Sequence, residues 1–110
     1  MQRDITLFPN DDTGNKLWKM FEEGEDLSQL REVEFSVLFS KETAALAFGK
    51  LLLENNQKVS FAPYEENTEN LWEITAYPAM DASYENITAY IELLTTHAEP
   101  LEGRFDDWYC

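Results

Sequence analysis

The sequence predicts an α+β fold, because strand-like and helix-like hydrophobic patterns follow one another along its 110 residues. Four segments have the alternation or the β-branched and aromatic content of strands. Two amphipathic segments separate them in the order strand, helix, strand, strand, helix, strand, and a further helical segment precedes them all. Four strands with two crossover helices form the split βαβ arrangement, whose right-handed crossovers place both helices on one face of an antiparallel sheet. The predicted architecture is therefore ferredoxin-like, βαββαβ, with an additional N-terminal helix.

The N-terminal part combines a segment without a pattern and a short helix. Residues 1–11 lack a clear period, which favours a flexible arm at the start of one domain that spans residues 1–110. The segment NDDTGNKLWKMFEEG then has the spacing of a helix, with Asp11 or Asp12 as its cap and Gly24 at its end. Its apolar face comprises Leu17, Met20 and Phe21.

The first strand of the sheet lies in REVEFSVLFS, where apolar and polar residues alternate. One side carries Val33, Phe35, Val37 and Phe39, and the other carries Glu34, Ser36 and Leu38. Ser40 is predicted to cap the helix that follows, and Asn55 and Asn56 to end it. The apolar stripe of this helix consists of Ala44, Ala47, Phe48, Leu51 and Leu52. Both elements therefore have one face suited to a shared core.

The other three strands are predicted in KVSFAPY, LWEITAYP and RFDDWYC, with a helix capped by Asp81 or Ser83 before the last of them. The polar stretch EENTEN joins the first two as an antiparallel hairpin, and Pro63 favours an edge position. The last strand pairs beside the first in this topology. We therefore expect Phe105 and Trp108 to close the sheet, which explains why the chain ends in aromatic residues.

Acidic residues dominate the charge, since 22 Asp and Glu oppose eight Lys and Arg and leave a net charge of −14. Such a field repels nucleic-acid phosphates and anionic membranes and attracts basic surfaces, although solubility alone also explains an acidic surface. The single cysteine forms no internal disulfide and suggests a reducing compartment. No apolar run approaches the ~20 residues that span a bilayer, and the start of the chain lacks a secretory signal, so we expect a cytoplasmic protein.

The open face of the predicted sheet argues against direct contact with nucleic acid. It is acidic and hydroxylic, and it comprises Glu34, Ser36, Ser60, Glu73 and Thr75. A sheet that binds RNA usually exposes aromatic and basic residues, and neither EFSVLFS nor LWEITAYP fits the RNA-recognition pattern. We therefore predict no direct binding of RNA or DNA.

No motif for a metal, a cofactor or catalysis is recognisable. In NDDTGN, counted from Asn10, the glycine stands one position too early for a calcium loop. His97 and Cys110 alone do not make a zinc site. His97 lies near a helix end, where an imidazolium interacts favourably with the last carbonyls, and Cys110 has no base near it in sequence. The sequence therefore predicts a protein that is not an enzyme and holds no cofactor.

Two tryptophans on predicted strands are candidates for the core or for a contact with a partner. A buried indole contributes a large apolar area, whereas tryptophan is also enriched at interface hot spots. Trp72 favours the core. For Trp108 both interpretations stay open, because it lies at the chain end.

Several stretches resemble the ribonuclease E inhibitor RraB family. They are FEEGEDLSQLREVEFSVLF, the alternation after LLLENNQKVS, the Trp72 that opens a strand, YPAM before the second crossover helix, and the closing GRFDDW. The resemblance extends from about Met20 to Trp108. It implies a protein that binds ribonuclease E outside its catalytic domain and reduces or redirects RNA cleavage without cutting RNA itself.

The resemblance and the charge together predict a protein partner with a basic surface, and ribonuclease E is the first candidate. The candidate partner-binding residues are Glu22, Glu23, Glu25, Asp26, Glu65, Glu66, Glu69, Asp106, Asp107 and Trp108. Two alternatives remain open at this point. One is an immunity- or antitoxin-type inhibitor of another basic protein, and the other is a small ligand-binding module.

Overall fold

The computed structural model of the protein describes residues 3–64 and 71–110, and these form three α-helices and six strands. The elements in chain order are α1 (Asp12–Glu22), β1 (Leu30–Glu32), β2 (Glu34–Phe39), α2 (Glu42–Glu54), β3 (Val59–Pro63), β4 (Trp72–Ala76), β5 (Ala79–Asp81), α3 (Tyr84–Ala98), a 3₁₀ turn (Glu99–Leu101) and β6 (Arg104–Tyr109).

The main sheet has four antiparallel strands in the order β3-β4-β2-β6. This is the strand order of the predicted ferredoxin-like arrangement, so the predicted fold class is confirmed. The last strand pairs beside the first strand of the sheet, with Trp108 opposite Phe35. The register between β2 and β6 shifts after Ser36, and Asp106 is the extra residue of this bulge.

Helices α2 and α3 pack on the same face of the sheet. Phe39 of β2 contacts Phe48 of α2 with ring centroids 5.1 Å apart, and Phe35 of β2 contacts Tyr90 of α3 at 4.6 Å. Because Phe35 and Phe39 are four residues apart on one strand, both point to one side. The buried residues of α2 differ in part from the predicted stripe and are Ala45, Phe48, Gly49 and Leu52.

The helix caps agree with the sequence in two of three places. Asp11 accepts a hydrogen bond from the Gly14 N–H at 2.7 Å and caps α1, and Ser83 caps α3. The prediction that Ser40 caps α2 is wrong, because Lys41 is the residue at the helix boundary and no side chain caps it. Since the helix begins one residue later than expected, the Ser40 hydroxyl is outside the N-cap position.

A second, two-stranded sheet was not predicted. The segment REVEFSVLFS is interrupted at Val33, whose N–H donates to the Pro78 carbonyl at 2.9 Å. The residues before this point form β1, which pairs with β5 so that Leu30 lies opposite Asp81. Three-residue strands carry too little periodicity to be recognised from sequence alone.

The segment before α1 packs against that helix. Phe8 is buried, and its ring contacts Trp18 at 5.4 Å between centroids. Arg3 donates from Nε to the Phe8 carbonyl at 2.9 Å. Gly14 allows a close approach, because a Cβ at this position would overlap the Pro9 carbonyl. That residues 1–110 form one domain with residues 1–11 as a flexible arm stays a prediction.

Candidate partner-binding surface

The turn after α1 concentrates four of the predicted partner-binding carboxylates. Gly24 has a φ of +90°, so the chain reverses there and four exposed residues surround the reversal: Glu22, Glu23, Glu25 and Asp26. The Asp26 carboxylate accepts hydrogen bonds from the Ser28 hydroxyl at 2.5 Å and from the Ser28 N–H at 3.0 Å. These bonds lower the pKa of Asp26, so this carboxylate is charged at neutral pH.

Arg31 of β1 connects this turn to the end of the chain. Its Nη1 lies 3.1 Å from Glu25 Oε1, and its Nη2 donates to the Asp26 carbonyl at 2.8 Å. The hydrogen bond to Glu25 raises the pKa of Arg31. Burial raises the pKa of the Cys110 thiol, and the nearby Arg31 guanidinium opposes this rise. Arg31 therefore lies between the acidic turn and the C-terminal residue.

Lys16 of α1 holds the end of β6. Its Nζ lies 2.9 Å from Asp107 Oδ1, donates to the Trp108 carbonyl, and lies 4.4 Å from the Trp108 ring centroid and 4.9 Å from that of Tyr109. Burial would raise the pKa of Asp107, but the Lys16 ammonium and the Trp108 N–H together hold it below the ordinary value. Asp107 is therefore ionised at neutral pH.

Two stretches that lie some 80 residues apart in sequence thus meet on one side of the molecule. Lys16 joins α1 to Asp107, and Arg31 and Cys110 lie between the acidic turn and β6. These contacts connect Glu25 with Asp107, and Glu22, Glu23, Asp26 and Asp106 adjoin these two residues in the chain. We call these six carboxylates the acidic face. Sequence reasoning missed Lys16 and Arg31, although each basic residue is conspicuous in a chain with only eight of them.

The other predicted partner-binding residues have different positions. Trp108 is only 3% exposed and belongs to the core, so its ring is not available at the surface. Phe105 packs against the core as well, so the expectation that both residues close the sheet is confirmed. Trp72 is only partly buried. The prediction for Glu65, Glu66 and Glu69 lies outside the described residues.

The sheet face opposite the helices has the polar character that the alternation predicts. Ser36 lies opposite Thr75, their hydroxyl oxygens are 3.4 Å apart, and Ser60 follows on the next strand. Leu38 and Ser36 are buried on this face, which is less exposed at its centre than expected. The hydroxyl groups of Ser36 and Thr75 occupy the centre of this face, and Arg104 and Tyr109 are exposed at its β6 edge.

Side chains that could ligate a metal ion do not cluster in the described residues. Residues 3–64 and 71–110 contain no group of three His, Cys, Asp or Glu side chains that could hold a metal ion. His97 Nδ1 donates to the Leu93 carbonyl at 2.8 Å, which confirms its interpretation as a helix-end residue. In the part of the chain that the structure describes, the helices are too short or too polar to span a bilayer.

The sheet, its helices and the acidic face define a small α+β protein with an acidic surface. Residues 10–110 match the model of the RraB family, regulator of ribonuclease activity B, and the chain therefore belongs to that family. No curated protein matches the chain in sequence. Membership implies that the protein is a regulator of ribonuclease E that inhibits its activity, binds that enzyme and does not catalyse a reaction itself.

Proposed function

We propose that this cytoplasmic protein inhibits ribonuclease E by docking its acidic face on a basic surface of that enzyme. The observation that carries the proposal is the meeting of two distant acidic stretches, the turn after α1 and the end of β6, around Lys16 and Arg31. Solubility needs only interspersed charges, whereas a surface of one predominant sign is typical of a protein that steers a partner. Glu65, Glu66 and Glu69 stay further candidates for partner binding.

The local charge balance favours a cationic partner. Of the six carboxylates of the acidic face, Glu25 pairs with Arg31 and Asp107 pairs with Lys16. Glu22 and Glu23 form no salt bridge with any described residue. Added to a net charge of −14, these carboxylates steer a basic surface toward this side and repel RNA from it. The effect on RNA cleavage is therefore exerted through the enzyme.

The experiment measures the affinity of the protein for purified ribonuclease E by isothermal titration calorimetry at two salt concentrations. At about 0.1 M salt the Debye length is about 10 Å, and at about 1 M it is about 3 Å. We expect binding at low salt and an affinity at least about tenfold weaker at high salt. An affinity that does not change with salt would contradict docking by charge, and no binding at either concentration would contradict ribonuclease E as the partner.

A further inference from the structure

An aromatic groove lies beside the acidic face, at the C-terminal end of α1. It is lined by Trp18, Phe21, Glu22, Gly24 and Glu25, is open to solvent and has a volume of about 440 Å³. This is within the range of about 300–1,000 Å³ that is usual for ligand pockets. We call it the aromatic groove.

The sequence spacing explains how one short helix builds the groove. Trp18, Phe21, Glu22 and Glu25 follow one another at i, i+3, i+4 and i+7, so they form one stripe along the helix and its terminal turn. Gly24 folds the chain back, and Glu25 N–H donates to the Met20 carbonyl at 3.2 Å. This bond keeps Glu25 beside the last helical turn.

The two aromatic rings of the groove are held in a fixed arrangement. Trp18 and Phe21 stack with centroids 5.7 Å apart and an angle of 23° between the ring planes, and Phe8 supports both rings from the core side at 5.4 Å. Phe21 remains 37% exposed. The groove therefore presents a preformed aromatic surface with a carboxylate at Glu22 that has no salt bridge to a described residue.

Among cationic side chains, arginine is best suited to aromatic faces that lie next to carboxylates. A guanidinium is planar, stacks on aromatic rings and donates two parallel hydrogen bonds to a carboxylate, whereas an ammonium is compact and strongly hydrated. The protein's own Arg31 donates one hydrogen bond to the Glu25 carboxylate and another to the Asp26 backbone carbonyl beside the groove. A second copy of the chain is a poor occupant, because it carries the same net charge of −14.

We propose that the aromatic groove binds an arginine side chain of the protein partner, with the guanidinium over the Trp18–Phe21 pair and hydrogen-bonded to Glu22. This inference rests on the proposed function for the identity of the partner. It goes further in naming the residue type that is recognised and the place where it docks.

The first test uses blocked peptides and the intact protein. A Gly-Arg-Gly-Arg-Gly peptide and its lysine counterpart are titrated while the indole N–H resonances are followed by NMR, with the Trp18 signal assigned from Trp18→Phe. We expect the arginine peptide to shift the Trp18 signal and to bind about threefold to fivefold more tightly than the lysine peptide. Equal affinities, or a shift confined to another indole, would overturn the proposal.

Two pairs of exposed substitutions provide matched controls. Glu22→Gln and Glu23→Gln remove the same charge from neighbouring residues, but only Glu22 lines the groove. Phe21→Leu and Phe61→Leu each remove an exposed ring that stacks on a tryptophan, Trp18 and Trp72 respectively. We expect Glu22→Gln and Phe21→Leu to weaken the arginine peptide about threefold or more, and their controls to weaken it less than about twofold. Equal effects within either pair would contradict a specific arginine site.

The peptide titration and the ribonuclease E titration test the two proposals separately. If ribonuclease E binds in a salt-dependent way but the peptides show no preference for arginine, the proposed function stands and the arginine site is wrong. If the peptides show the preference but ribonuclease E does not bind, the groove chemistry stands and the proposed partner is wrong.

Discussion

The two edge strands of the sheet, β6 and β3, differ in how they are held and in the charge they carry. Strand β6 has a bulge at Asp106, buries Trp108, and is bonded to Lys16 of α1. Strand β3 has no charged residue and ends at Pro63, and its Phe61 stacks on Trp72 at 5.4 Å with 40% of its surface exposed. Both edges are protected against pairing with another strand, one by charge and a bulge and the other by proline and a short length.

The difference shows that the end of this chain is a structural element of the core rather than a tail. Trp108 is buried and Phe105 is partly buried because β6 completes the sheet, while Tyr109 is exposed and the strand's carboxylates extend the acidic face. The β3 edge is an accessory strand with a half-exposed aromatic pair. Stability is therefore expected to depend more on β6 than on β3.

The largest effect is expected when the tryptophan that packs at each edge is removed: Trp108 of β6 itself, and Trp72 of β4, which stacks on Phe61 of β3. Trp108→Ala should lower the free energy of unfolding by about 3–5 kcal/mol, because it empties a core aromatic site. Trp72→Ala, at a partly buried position, should lower it by only about 1–2 kcal/mol. Urea denaturation of both variants gives the comparison, and equal losses would contradict the different roles of the two edges.

The residue before β6 provides a second test of how tightly this edge is packed. A Cβ at Gly103 would overlap the buried Phe39 ring, which has no room to move. Gly103→Ala should therefore destabilise the protein by about 1–3 kcal/mol through overpacking. An unchanged melting temperature would mean that the start of β6 adapts easily and is not fixed against β2.

The two edges also offer a matched pair of lysines. Lys16 pairs with Asp107 and lies over Trp108, with 33% of its side chain exposed; Lys58 pairs with Glu32 at 3.2 Å and lies over Tyr77, with 68% exposed. Lys16→Met should cost about 1 kcal/mol, and Lys58→Met less than about 0.5 kcal/mol. Similar losses in thermal denaturation would show that Lys16 is no more than a surface contact.

The ion pair of Lys16 also predicts a pH dependence. The pKa of Asp107 is lowered in the folded protein from an ordinary value of 3.8. Its contribution to stability is therefore complete above that value and is lost as the pH falls through the folded pKa. The stability difference between the wild type and Asp107→Asn should shrink when the pH is lowered from about 7 to about 3. A difference that stays constant over this range would contradict the linkage.

The sequence predicted the features that depend on local patterns. The alternation in REVEFSVLFS, the caps at Asp11 and Ser83 and the order of the elements led to the sheet topology that the structure has. The prediction of Ser40 as the cap was wrong by one residue, because the backbone geometry that sets a helix boundary is not visible in the sequence to within one residue. The pair β1–β5 was missed because three-residue strands show no period.

The candidate surface was only partly predictable. The acidic stretches were visible in the sequence, but the contact of Lys16 with Asp107 joins residues 91 positions apart and depends on the tertiary fold. The aromatic groove was not predicted either, because it depends on which side of α1 is buried. The sequence pattern places Phe21 on the apolar face of α1 with Leu17, whereas the structure buries Leu17 and leaves Phe21 exposed beside Trp18.

The measurement that tests the acidic face most directly is the inhibition of ribonuclease E by two charge-matched double variants. Glu22→Gln/Glu23→Gln removes two charges from the acidic face, and Glu42→Gln/Glu54→Gln removes two from the exposed surface of α2. We expect the first variant to need at least about fivefold more protein for half-inhibition of RNA cleavage at low salt, and the second to match the wild type. Equal loss in both variants would mean that only the net charge matters, and the acidic face would not be the binding surface.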